Sequence, residues 1–246
     1  DVYKRQTQAG VLNLVVGPAA AVGPAITTAR AVRAISFTGS TAAGEQIHRG
    51  AGLTTRTQME LGGKNPLIVL ADADLDRAVD LAVKGGFSLS GQACTGTSRV
   101  LVDAKVRQAF TDKLVARVKT LTLGNGLDGN FDLGPLATRK QLDNVLSYVA
   151  VGKEEATHLC GGDVLTGPGF DRGYYVTPAL FTDVTQQMRI AREEIFGPVI
   201  ALIEVDGYDD AIAKANDTEY GLSAAIATTD ARYAHRFARD LSLIHI

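Results

Sequence analysis

Short apolar runs alternate with segments of helical periodicity along the whole chain, and this alternation constrains the fold more than any other feature. The run 198–205 has the length and composition of a buried strand. In the segment that begins at residue 75, apolar residues follow the i, i+3, i+4, i+7, i+8 spacing of one buried helix stripe, at Leu75, Ala78, Val79, Ala82 and Val83. Alternating strands and helices predict an α/β fold.

The same two patterns predict the other elements of the chain. A strand and turn over 10–17, a helix over 24–31 and a strand over 34–38 form a first strand–helix–strand unit. Later strands are predicted at 99–102, 174–180, 198–205 and 222–228, and later helices at 106–121, 209–215 and 230–239. The glycine-rich segment 124–134 is predicted to be a loop. Asp72 or Asp74 is predicted to cap the helix that begins at Leu75.

The composition argues against nucleic acid, membranes and metals as partners. The 246 residues include 25 Lys and Arg against 27 Asp and Glu, so the net charge of -2 provides no cationic field for a phosphate backbone. No apolar stretch approaches the roughly 20 residues of a membrane helix. Cys94 and Cys160 form no CxxC motif, which is typical of a reducing compartment, so the predicted location is the cytoplasm. The four histidines show no ligand spacing, and no metal site is expected.

Both ends of the chain are expected to be artificial. Residues 1–6 and residues 241–246 resemble translations of the adapter sequences used in sequencing libraries. The absence of an initiator Met agrees with a chain that is cut at both ends. Sequencing the source DNA outward through both ends tests this expectation.

A first candidate motif is the glycine turn within residues 37–44, where a predicted strand passes into a helix that begins near Thr41. Such a turn can present backbone N–H groups and a helix N-terminus to a phosphate, and Ser40 adds a hydroxyl donor. The alternative is that Gly39 and Gly44 serve only to let the chain turn. The two glycines are five residues apart, so the motif is not the GxGxxG fingerprint.

Two further motifs carry a carboxylate and a thiol. Glu60 precedes the pair Gly62–Gly63, and a glutamate before two glycines is usually a surface residue. Cys94 lies between Gly91 and Gly96, just before a predicted strand. A cysteine is most often a small buried hydrophobe, but flanking glycines leave room for a substrate to approach the thiol. A thiolate needs a dedicated base less than other nucleophiles do, whereas Cys160 has no comparable setting and is interpreted as structural.

A fourth motif, Glu193 to Pro198, completes a set that resembles the aldehyde dehydrogenase superfamily. Its members here are 39–41, 60–64, 91–94 and 193–198, in the order and spacing of that family. The similarity continues through 216–223 and covers nearly everything between the two ends. The resemblance implies the second part of a Rossmann-type cofactor domain, at 1–62, followed by an α/β catalytic domain, at 63–240.

The resemblance also implies the roles of individual residues. Cys94 corresponds to the nucleophile that forms a thiohemiacetal and then a thioester, and Glu60 to the general base that activates the hydrolytic water. Gly39 and Ser40 correspond to the turn that holds the pyrophosphate of NAD or NADP. Glu194 corresponds to the carboxylate that binds the nicotinamide ribose, and Phe196 to the aromatic residue beside the nicotinamide. The remaining residues assigned to the cofactor site are Thr41, Gly44 and Leu61.

The resemblance covers only about half of a family chain. The other half would hold the oxyanion-hole Asn and the Lys of the adenosine-ribose site, and the turn at 17–20 is only a weak cofactor candidate. Because losing one oxyanion donor costs about 100 to 1,000-fold in rate, the chain as written is predicted to have little activity. The full-length enzyme is expected to be a homo-oligomer, as a dimer or tetramer, and the choice between NAD and NADP is left open.

The substrate is inferred from three segments, at 91–99, 173–176 and 195–202. Together they look most like bacterial α-ketoglutarate semialdehyde (2,5-dioxovalerate) dehydrogenases, which implies oxidation to 2-oxoglutarate. A succinate-semialdehyde or other aldehyde dehydrogenase is the alternative within the family. A non-catalytic relative that keeps the fold as a binding module is the alternative outside it. The presence of both Cys94 and Glu60 favours the enzyme, and faster alkylation of Cys94 than of Cys160 would distinguish the two.

Overall fold

The computed structural model describes residues 8–243, and the chain divides into two compact units. The first unit ends at Gly62 and the second begins at Gly63. Each unit combines helices with parallel strands, so the predicted α/β class is confirmed. The assignment of the first unit to a cofactor domain and of the second to a catalytic domain stays a prediction.

Over its described residues, 8–62, the first unit has two helices and two parallel strands. In chain order they are α1 (Ala19–Thr27), β1 (Ala34–Thr38), α2 (Thr41–Gly50) and β2 (Arg56–Glu60). β1 pairs with β2 in parallel, and Thr38 lies opposite Glu60 at the end of the ladder. The chain therefore leaves β1 beside the last residue of β2, and it enters α2 two residues after Gly39.

The second unit is a six-stranded sheet with helices on both faces. Its elements are β3 (Asn65–Val69), α3 (Leu75–Phe87), β4 (Thr97–Asp103), α4 (Arg107–Val118), α5 (Arg139–Glu155), β5 (Thr157–Cys160), β6 (Ala179–Thr182), α6 (Arg189–Arg192), β7 (Val199–Val205), α7 (Gly207–Asn216), β8 (Ala225–Ala227) and α8 (Ala231–Asp240). The strand order is β5-β6-β7-β4-β3-β8. Among the strand pairs of residues 8–243, β5–β6 alone is antiparallel, whereas β4 pairs in parallel with both β3 and β7.

The core of this unit lies on both faces of the sheet because successive residues of a strand point to opposite sides. Ile68 and Leu101 belong to one apolar cluster, whereas Leu67, Val69 and Val100 belong to the other. The first cluster includes residues of α5 and α7, and the second includes residues of α3 and α4. Strands that are buried on both faces appear in sequence as continuous apolar runs, as β3, β4 and β7 do.

Several predicted elements are confirmed with small shifts of their ends. The apolar stripe from Leu75 to Val83 is the buried face of α3. Asp74 caps this helix, since its carboxylate accepts hydrogen bonds from the N–H groups of Asp76 and Arg77. Asp72 binds instead to the loop between β8 and α8, where it accepts from the Thr228 hydroxyl and the Thr229 N–H. Of the two predicted caps, Asp74 is the correct one.

The structure differs from three predicted elements: a strand at 10–17 is absent, and a helix and a second strand have other bounds. Residues 10–17 form no strand, because no described segment pairs with them. The predicted helix at 24–31 is instead α1, which begins just after Pro18 and contains Pro24 in its interior. Either proline can mark a helix start, since Pro is favoured in the first turn. The predicted strand 174–180 is mostly irregular, with isolated bridges at Tyr174 and Val176 before the short β6.

Other differences concern short or unrecognised elements. The strand predicted at 222–228 is reduced to β8, which has three residues. Five observed elements were not predicted from the sequence: β2, β3, α5, β5 and α6. No helix in the described part of the chain is long and apolar enough to cross a membrane. Within residues 8–243 no group of three His, Cys, Asp or Glu side chains is arranged to hold a metal ion.

The two segments predicted to be artificial lie largely outside the described residues. Residues 1–6 and 244–246 are not described. Leu241 packs against the apolar cluster that contains α7, and the Ser242 N–H donates to the side chain of Asn216 at 2.9 Å. The adapter origin of these segments stays a prediction.

Candidate active site

The predicted phosphate turn of the first unit follows β1 and leads into the N-terminus of α2. The Gly39 N–H donates to the carbonyl of Glu60 at 3.0 Å, which extends the ladder between the two strands by one bond. Ser40 caps α2, because its hydroxyl oxygen accepts from the Ala43 N–H at 3.4 Å. The turn is exposed to solvent, and the first N–H groups of a helix favour an anion. These features fit a pyrophosphate, although its binding here stays a prediction.

Gly44 and Leu61 contact each other within the same unit. Gly44 is buried, and a Cβ added to it would lie 2.6 Å from Cδ2 of Leu61. A glycine is therefore required for α2 to pack beside the residue that follows Glu60. This packing explains Gly44 without a ligand, and the assignment of Thr41, Gly44 and Leu61 to the cofactor site stays a prediction.

Glu60 is the last residue of β2, and its side chain is exposed. The side chain of Gln58 lies two residues earlier, on the same face of the strand, and donates to the Glu60 carboxylate at 3.4 Å. An exposed carboxylate is free to accept a proton from a water molecule, as a general base must. Its role as that base stays a prediction.

In the second unit, the candidate residues converge at the amino ends of three neighbouring strands. Gly63 precedes β3, Cys94 precedes β4, and Glu194 precedes β7. Because these strands are parallel and adjacent, the segments that enter them meet at the same edge of the sheet. Ligands in open α/β sheets more commonly bind at the carboxyl ends. The topology thus explains how residues 131 positions apart in sequence come into contact.

Cys94 occupies the second position of a β-turn just before β4. The turn comprises residues 93–96 and is closed by a hydrogen bond of 2.9 Å from the Gly96 N–H to the Ala93 carbonyl. The Cys94 thiol is free and the residue is partly buried. Turns present their central side chains outward, so this position suits a nucleophile that must meet a substrate.

The segment before the turn has a strained backbone. Leu89 and Ser90 have φ angles of 53° and 57°, and Gly91 follows with a φ of 70°. Non-glycine residues in the left-handed region are costly and persist where surrounding contacts hold them. The Ser90 hydroxyl donates to the carbonyl of Gly134 at 2.8 Å, and a Cβ on Gly91 would lie 2.2 Å from the carbonyl oxygen of Gly197.

Gln92 anchors the same segment to the loop that follows residue 134. Its side-chain oxygen accepts from the Ala137 N–H at 2.8 Å, and its amide nitrogen donates to the carbonyl of Leu89 at 3.2 Å. The segment 89–92, which leads into Cys94, is thereby bound both to the loop after residue 134 and within itself. Gln92 lies within the motif 91–94, but no role was predicted for it from the sequence.

Gly63 lies between the cysteine turn and the segment of Glu194. Its N–H donates to the Glu194 carboxylate at 3.1 Å, and a Cβ on Gly63 would lie 2.4 Å from the carbonyl oxygen of Cys94. A small cavity of about 20 Å³ is lined by Gly63, Ala93, Glu194 and Phe196, among others. The structure therefore brings the predicted nucleophile and two predicted cofactor residues around one glycine.

Glu193 and Glu194 are adjacent in sequence but differ in their surroundings. Burial raises the pKa of Glu194, while the Gly63 N–H and the charge of Lys64 act in the opposite direction. Glu193 instead binds Arg189, with both guanidinium contacts below 3.0 Å, and the Tyr148 hydroxyl at 2.6 Å. These hydrogen bonds lower the pKa of Glu193 to about 2. Glu193 is thus engaged within the protein, whereas Glu194 faces the cavity.

Phe196 is held by a helix that sequence reasoning missed. It has a φ of 54° and is 39% exposed. Gln141 of α5 donates to the carbonyls of Ile195 and Phe196 at 3.0 and 2.8 Å, and Asn144 donates to Ile195 at 3.0 Å. The signal for α5 is present in the sequence, since Thr138 caps the helix and its buried face recurs at i, i+3 and i+7, at Leu142, Val145 and Val149.

Lys64 is a buried cation beside this site. It is 1% exposed, and its Nζ has no hydrogen-bond partner in the described part of the chain. Burial, reinforced by the charge of Arg99, lowers the pKa of Lys64 to about 7. Sequence reasoning named this lysine only as part of a motif. Its burial cannot be read from sequence, because lysines are almost never fully buried without a partner.

Arg99, the last residue of the segment 91–99, is fully buried and binds backbone carbonyls. Its guanidinium donates to the carbonyls of Lys64, Lys214 and Ala215, at 2.9, 3.1 and 3.0 Å. The latter two lie in the last turn of α7, where carbonyls have no partner within the helix. Arg99 therefore joins the start of β3 to the end of α7.

The predicted site residues are distributed over both units. Gly39, Ser40, Thr41, Gly44, Glu60 and Leu61 lie in the first unit, and Cys94, Glu194 and Phe196 lie in the second. Within each unit the predicted residues are neighbours. The first unit provides an exposed helix N-terminus and an exposed carboxylate, and the second provides a free cysteine whose carbonyl lies near the same glycine that binds the Glu194 carboxylate.

Comparisons with known proteins agree with this chemistry. The model of the aldehyde dehydrogenase family matches residues 2–245. An alpha-ketoglutaric semialdehyde dehydrogenase from Bacillus subtilis (strain 168) is 47% identical over 222 residues, which are 89% of this chain and 46% of that protein. The chain thus spans about half the length of this curated relative.

Solved structures show the same partial coverage. Betaine aldehyde dehydrogenase from Staphylococcus aureus, in complex with NAD+, matches with a TM-score of 0.91 and 36% identity, over 94% of this chain and 46% of that one. A 3,6-anhydro-L-galactose dehydrogenase in complex with NADP matches with a TM-score of 0.91 and 38% identity, over 96% of this chain and 50% of that one.

Proposed function

Because the chain belongs to the aldehyde dehydrogenase family, we propose that the protein containing it oxidises an aldehyde to a carboxylic acid, with NAD or NADP as hydride acceptor and Cys94 as nucleophile. The observation that carries the proposal is the arrangement around Gly63. This glycine contacts the carbonyl of Cys94 and binds the carboxylate of Glu194 through its N–H. The backbone of the predicted nucleophile and the carboxylate of the predicted ribose-binding residue are thereby held near one glycine.

The proposed reaction begins with attack by the Cys94 thiolate on the aldehyde carbon. The new C–S bond converts the carbonyl oxygen into an alkoxide, and departure of hydride from the same carbon leaves a thioester on Cys94. Glu60 then takes a proton from a water molecule, whose oxygen attacks the thioester. The acid is released, the thiolate of Cys94 is restored, and the two electrons leave with the hydride.

The cofactor supplies the acceptor for that hydride, and the residues present fit its parts. Ser40 and the exposed N-terminus of α2 provide donors for the pyrophosphate. Glu194, whose carboxylate is oriented by the Gly63 N–H, would accept hydrogen bonds from ribose hydroxyls. Phe196 presents a partly exposed ring whose backbone carbonyl is fixed by Gln141. Orientation is the contribution expected of a protein that uses a redox cofactor.

For the substrate we propose α-ketoglutarate semialdehyde, which would be oxidised to 2-oxoglutarate. The support is the 47% identity to the Bacillus subtilis alpha-ketoglutaric semialdehyde dehydrogenase. The test compares turnover of this substrate with turnover of succinate semialdehyde. A clear preference for succinate semialdehyde would contradict the proposed substrate and leave the reaction class unchanged.

The reaction class is tested with the protein encoded by the longest reading frame that contains this chain. Formation of reduced cofactor is followed in the wild type, in Cys94→Ser and in Cys160→Ser. Cys94→Ser is expected to lose activity by at least about 1,000-fold, because the hydroxyl is a far weaker nucleophile without a dedicated base. Cys160→Ser is the matched control and is expected to keep wild-type turnover. Retention of activity in Cys94→Ser would refute the proposed mechanism.

A further inference from the structure

Asn65 connects the cysteine turn to the segment before β8. It is the first residue of β3 and is 3% exposed. Its Nδ2 donates to the carbonyls of Cys94 and Gly96, at 2.7 and 2.9 Å. Its Oδ1 accepts from the N–H of Ser223 at 3.0 Å, across 158 positions of sequence. One side-chain amide therefore binds three backbone groups.

The backbone ladder cannot make these bonds itself. The pairing of β3 with β4 begins at Asn65 and Thr97, and its register shifts between Asn65 and Pro66. A proline has no N–H to donate, so the ladder is interrupted at that position. The carbonyls of Cys94 and Gly96 lie before the first pair, and the Asn65 side chain binds them in place of a strand.

These two bonds determine the orientation of the nucleophile. Cys94 and Gly96 are the second and fourth residues of the turn closed by the Gly96 N–H and the Ala93 carbonyl. Because a peptide unit is planar, fixing the carbonyl of Cys94 fixes the plane that follows its Cα. The second bond, to Gly96, prevents the turn from tilting about the first. Together with the hydrogen bond to the Ala93 carbonyl, which restrains the peptide before Cys94, these two bonds restrain the direction of the Cys94 Cα–Cβ bond.

Asparagine is the residue type that these contacts require. Its amide carries two donor hydrogens and an acceptor oxygen on a short side chain. An aspartate of the same size has no donor when ionised, and a leucine of similar size has neither donor nor acceptor. Gly63 limits the space from the other side, since a Cβ there would lie 2.8 Å from the Asn65 amide.

We infer that Asn65 is a positioning residue for the proposed reaction: its amide holds the turn so that the Cys94 thiol points at the aldehyde carbon. The inference rests on the proposed role of Cys94. Misplacing a reacting group by about 1 Å costs on the order of 100-fold in rate even when the group itself is intact. Loss of Asn65 should therefore impair turnover without removing the thiol.

The test compares Asn65→Leu with Gln186→Met in the protein of the longest reading frame. Gln186 is a matched control, because it is 7% exposed and its amide also donates to two carbonyls, those of Lys214 and Asp217. Asn65→Leu is expected to lower kcat and the single-turnover rate of hydride transfer by about 10- to 100-fold, with KM for the aldehyde within about threefold. Gln186→Met is expected to keep kcat within about threefold.

Alkylation with iodoacetamide separates positioning from unfolding. The small reagent requires an accessible thiol but no exact direction of attack, so both Cys94 and Cys160 of Asn65→Leu should react within about threefold of the wild-type rates. Asn65→Ser keeps one hydroxyl donor and should have a kcat between those of Asn65→Leu and the wild type. If Asn65→Leu fails to fold, Asn65→Ser takes its place in the comparison.

Each result decides the inference. A kcat for Asn65→Leu equal to that of Gln186→Met overturns it, and so does a wild-type kcat for Asn65→Ser if the leucine variant does not fold. Faster alkylation of both cysteines in a folded Asn65→Leu also overturns it, because the loss of activity would then follow from general loosening. Retention of activity in Cys94→Ser would instead refute the proposed function on which the inference rests.

Discussion

The backbone of Gly63 contacts both Cys94 and Glu194: its Cα faces the carbonyl of Cys94, and its N–H donates to the carboxylate of Glu194 at 3.1 Å. Cys94 and Glu194 lie on loops that enter different strands, β4 and β7. The loop that enters β3 lies between them and sets their separation. Substitutions in this third loop should therefore affect both the proposed attack by Cys94 and the proposed binding of the cofactor by Glu194.

Gly63→Ala should inactivate the protein without a change in charge. The new methyl group would lie 2.4 Å from the carbonyl oxygen of Cys94, so the cysteine turn or β3 must shift. We expect kcat to fall by about 100-fold and the free energy of unfolding to fall by about 1–3 kcal/mol. Activity assays and denaturant unfolding measure the two effects. Gly126→Ala, with no atom within 4 Å of the added Cβ, is the control, and equal effects of the two substitutions would contradict the prediction.

Glu194→Gln and Glu193→Gln should have different consequences although the residues are adjacent. Glutamine at 194 keeps an oxygen for the Gly63 N–H and loses the charge, so we expect KM for the cofactor to rise about 10-fold. Steady-state kinetics at saturating aldehyde measure this effect. Glu193→Gln should leave that KM unchanged, and a rise of similar size in both variants would show that the cofactor assignment of Glu194 is wrong.

Glu193→Gln should also change how the stability of the protein depends on acidic pH. The Arg189 and Tyr148 contacts lower the pKa of Glu193 from its ordinary value of 4.5 to about 2. The stability that this carboxylate contributes is therefore present above pH 4.5 and is lost as the pH falls toward 2. Because the ion pair between Arg189 and Glu193 is largely solvent-exposed, this loss of stability should be small. Thermal unfolding should show a weaker acid dependence between these values in Glu193→Gln than in the wild type.

Lys64→Met should stabilise the fold and change its dependence on pH. Burial lowers the pKa of Lys64 from its ordinary value of 10.5 to about 7 in the folded protein. Between these values the unfolded chain binds a proton that the folded protein does not, so stability should rise with pH, by up to about 1.4 kcal/mol per pH unit. In Lys64→Met this rise should disappear, and the gain over the wild type should be greatest at pH 7 and below.

Thermal unfolding from pH 6 to 10 tests this expectation, with Lys84→Met as control because Lys84 is exposed. The control should leave the pH dependence of the wild type intact. Parallel pH profiles for the wild type and Lys64→Met would mean that Lys64 is not titrating in this range.

Arg99→Leu should destabilise the second unit more than substitution of a surface arginine. The substitution removes the donors to three carbonyls, those of Lys64, Lys214 and Ala215. Leaving buried carbonyls without partners should cost about 2–5 kcal/mol in the free energy of unfolding. Arg77→Leu is the control: its ion pair with Asp74 is exposed and should contribute less than about 1 kcal/mol. Chemical denaturation of both variants measures the difference.

Local features of the fold could be predicted wherever one segment contains the whole signal. The stripe of α3 spans two to three turns of one helix, and the apolar run of β7 marks a strand that is buried on both faces. The run 10–17 shows where this reasoning fails. It has strand-like composition, but a strand also needs a hydrogen-bonded neighbour, and the described residues provide none.

The candidate site was predictable as a set of residues but not as a set of contacts. Cys94 and Glu194 each lie in a recognisable motif, yet their common contact with Gly63 depends on the strand order β7-β4-β3. The amides of Asn65 and Gln141 bind carbonyls that are 29 and 55 positions away. No local sequence pattern identifies these two residues, because the sheet topology determines which carbonyls lie within reach of their amides.

The hydrogen bond between Gly39 and Glu60 has a mechanical consequence for the first unit. Gly39 leaves β1 and Glu60 ends β2, and the bond continues the paired register of the two strands. A displacement of β2 along its axis would pull both residues in the same direction. Under the proposed function, this bond would keep the turn that holds the pyrophosphate and the base that activates water in one fixed register within the first unit.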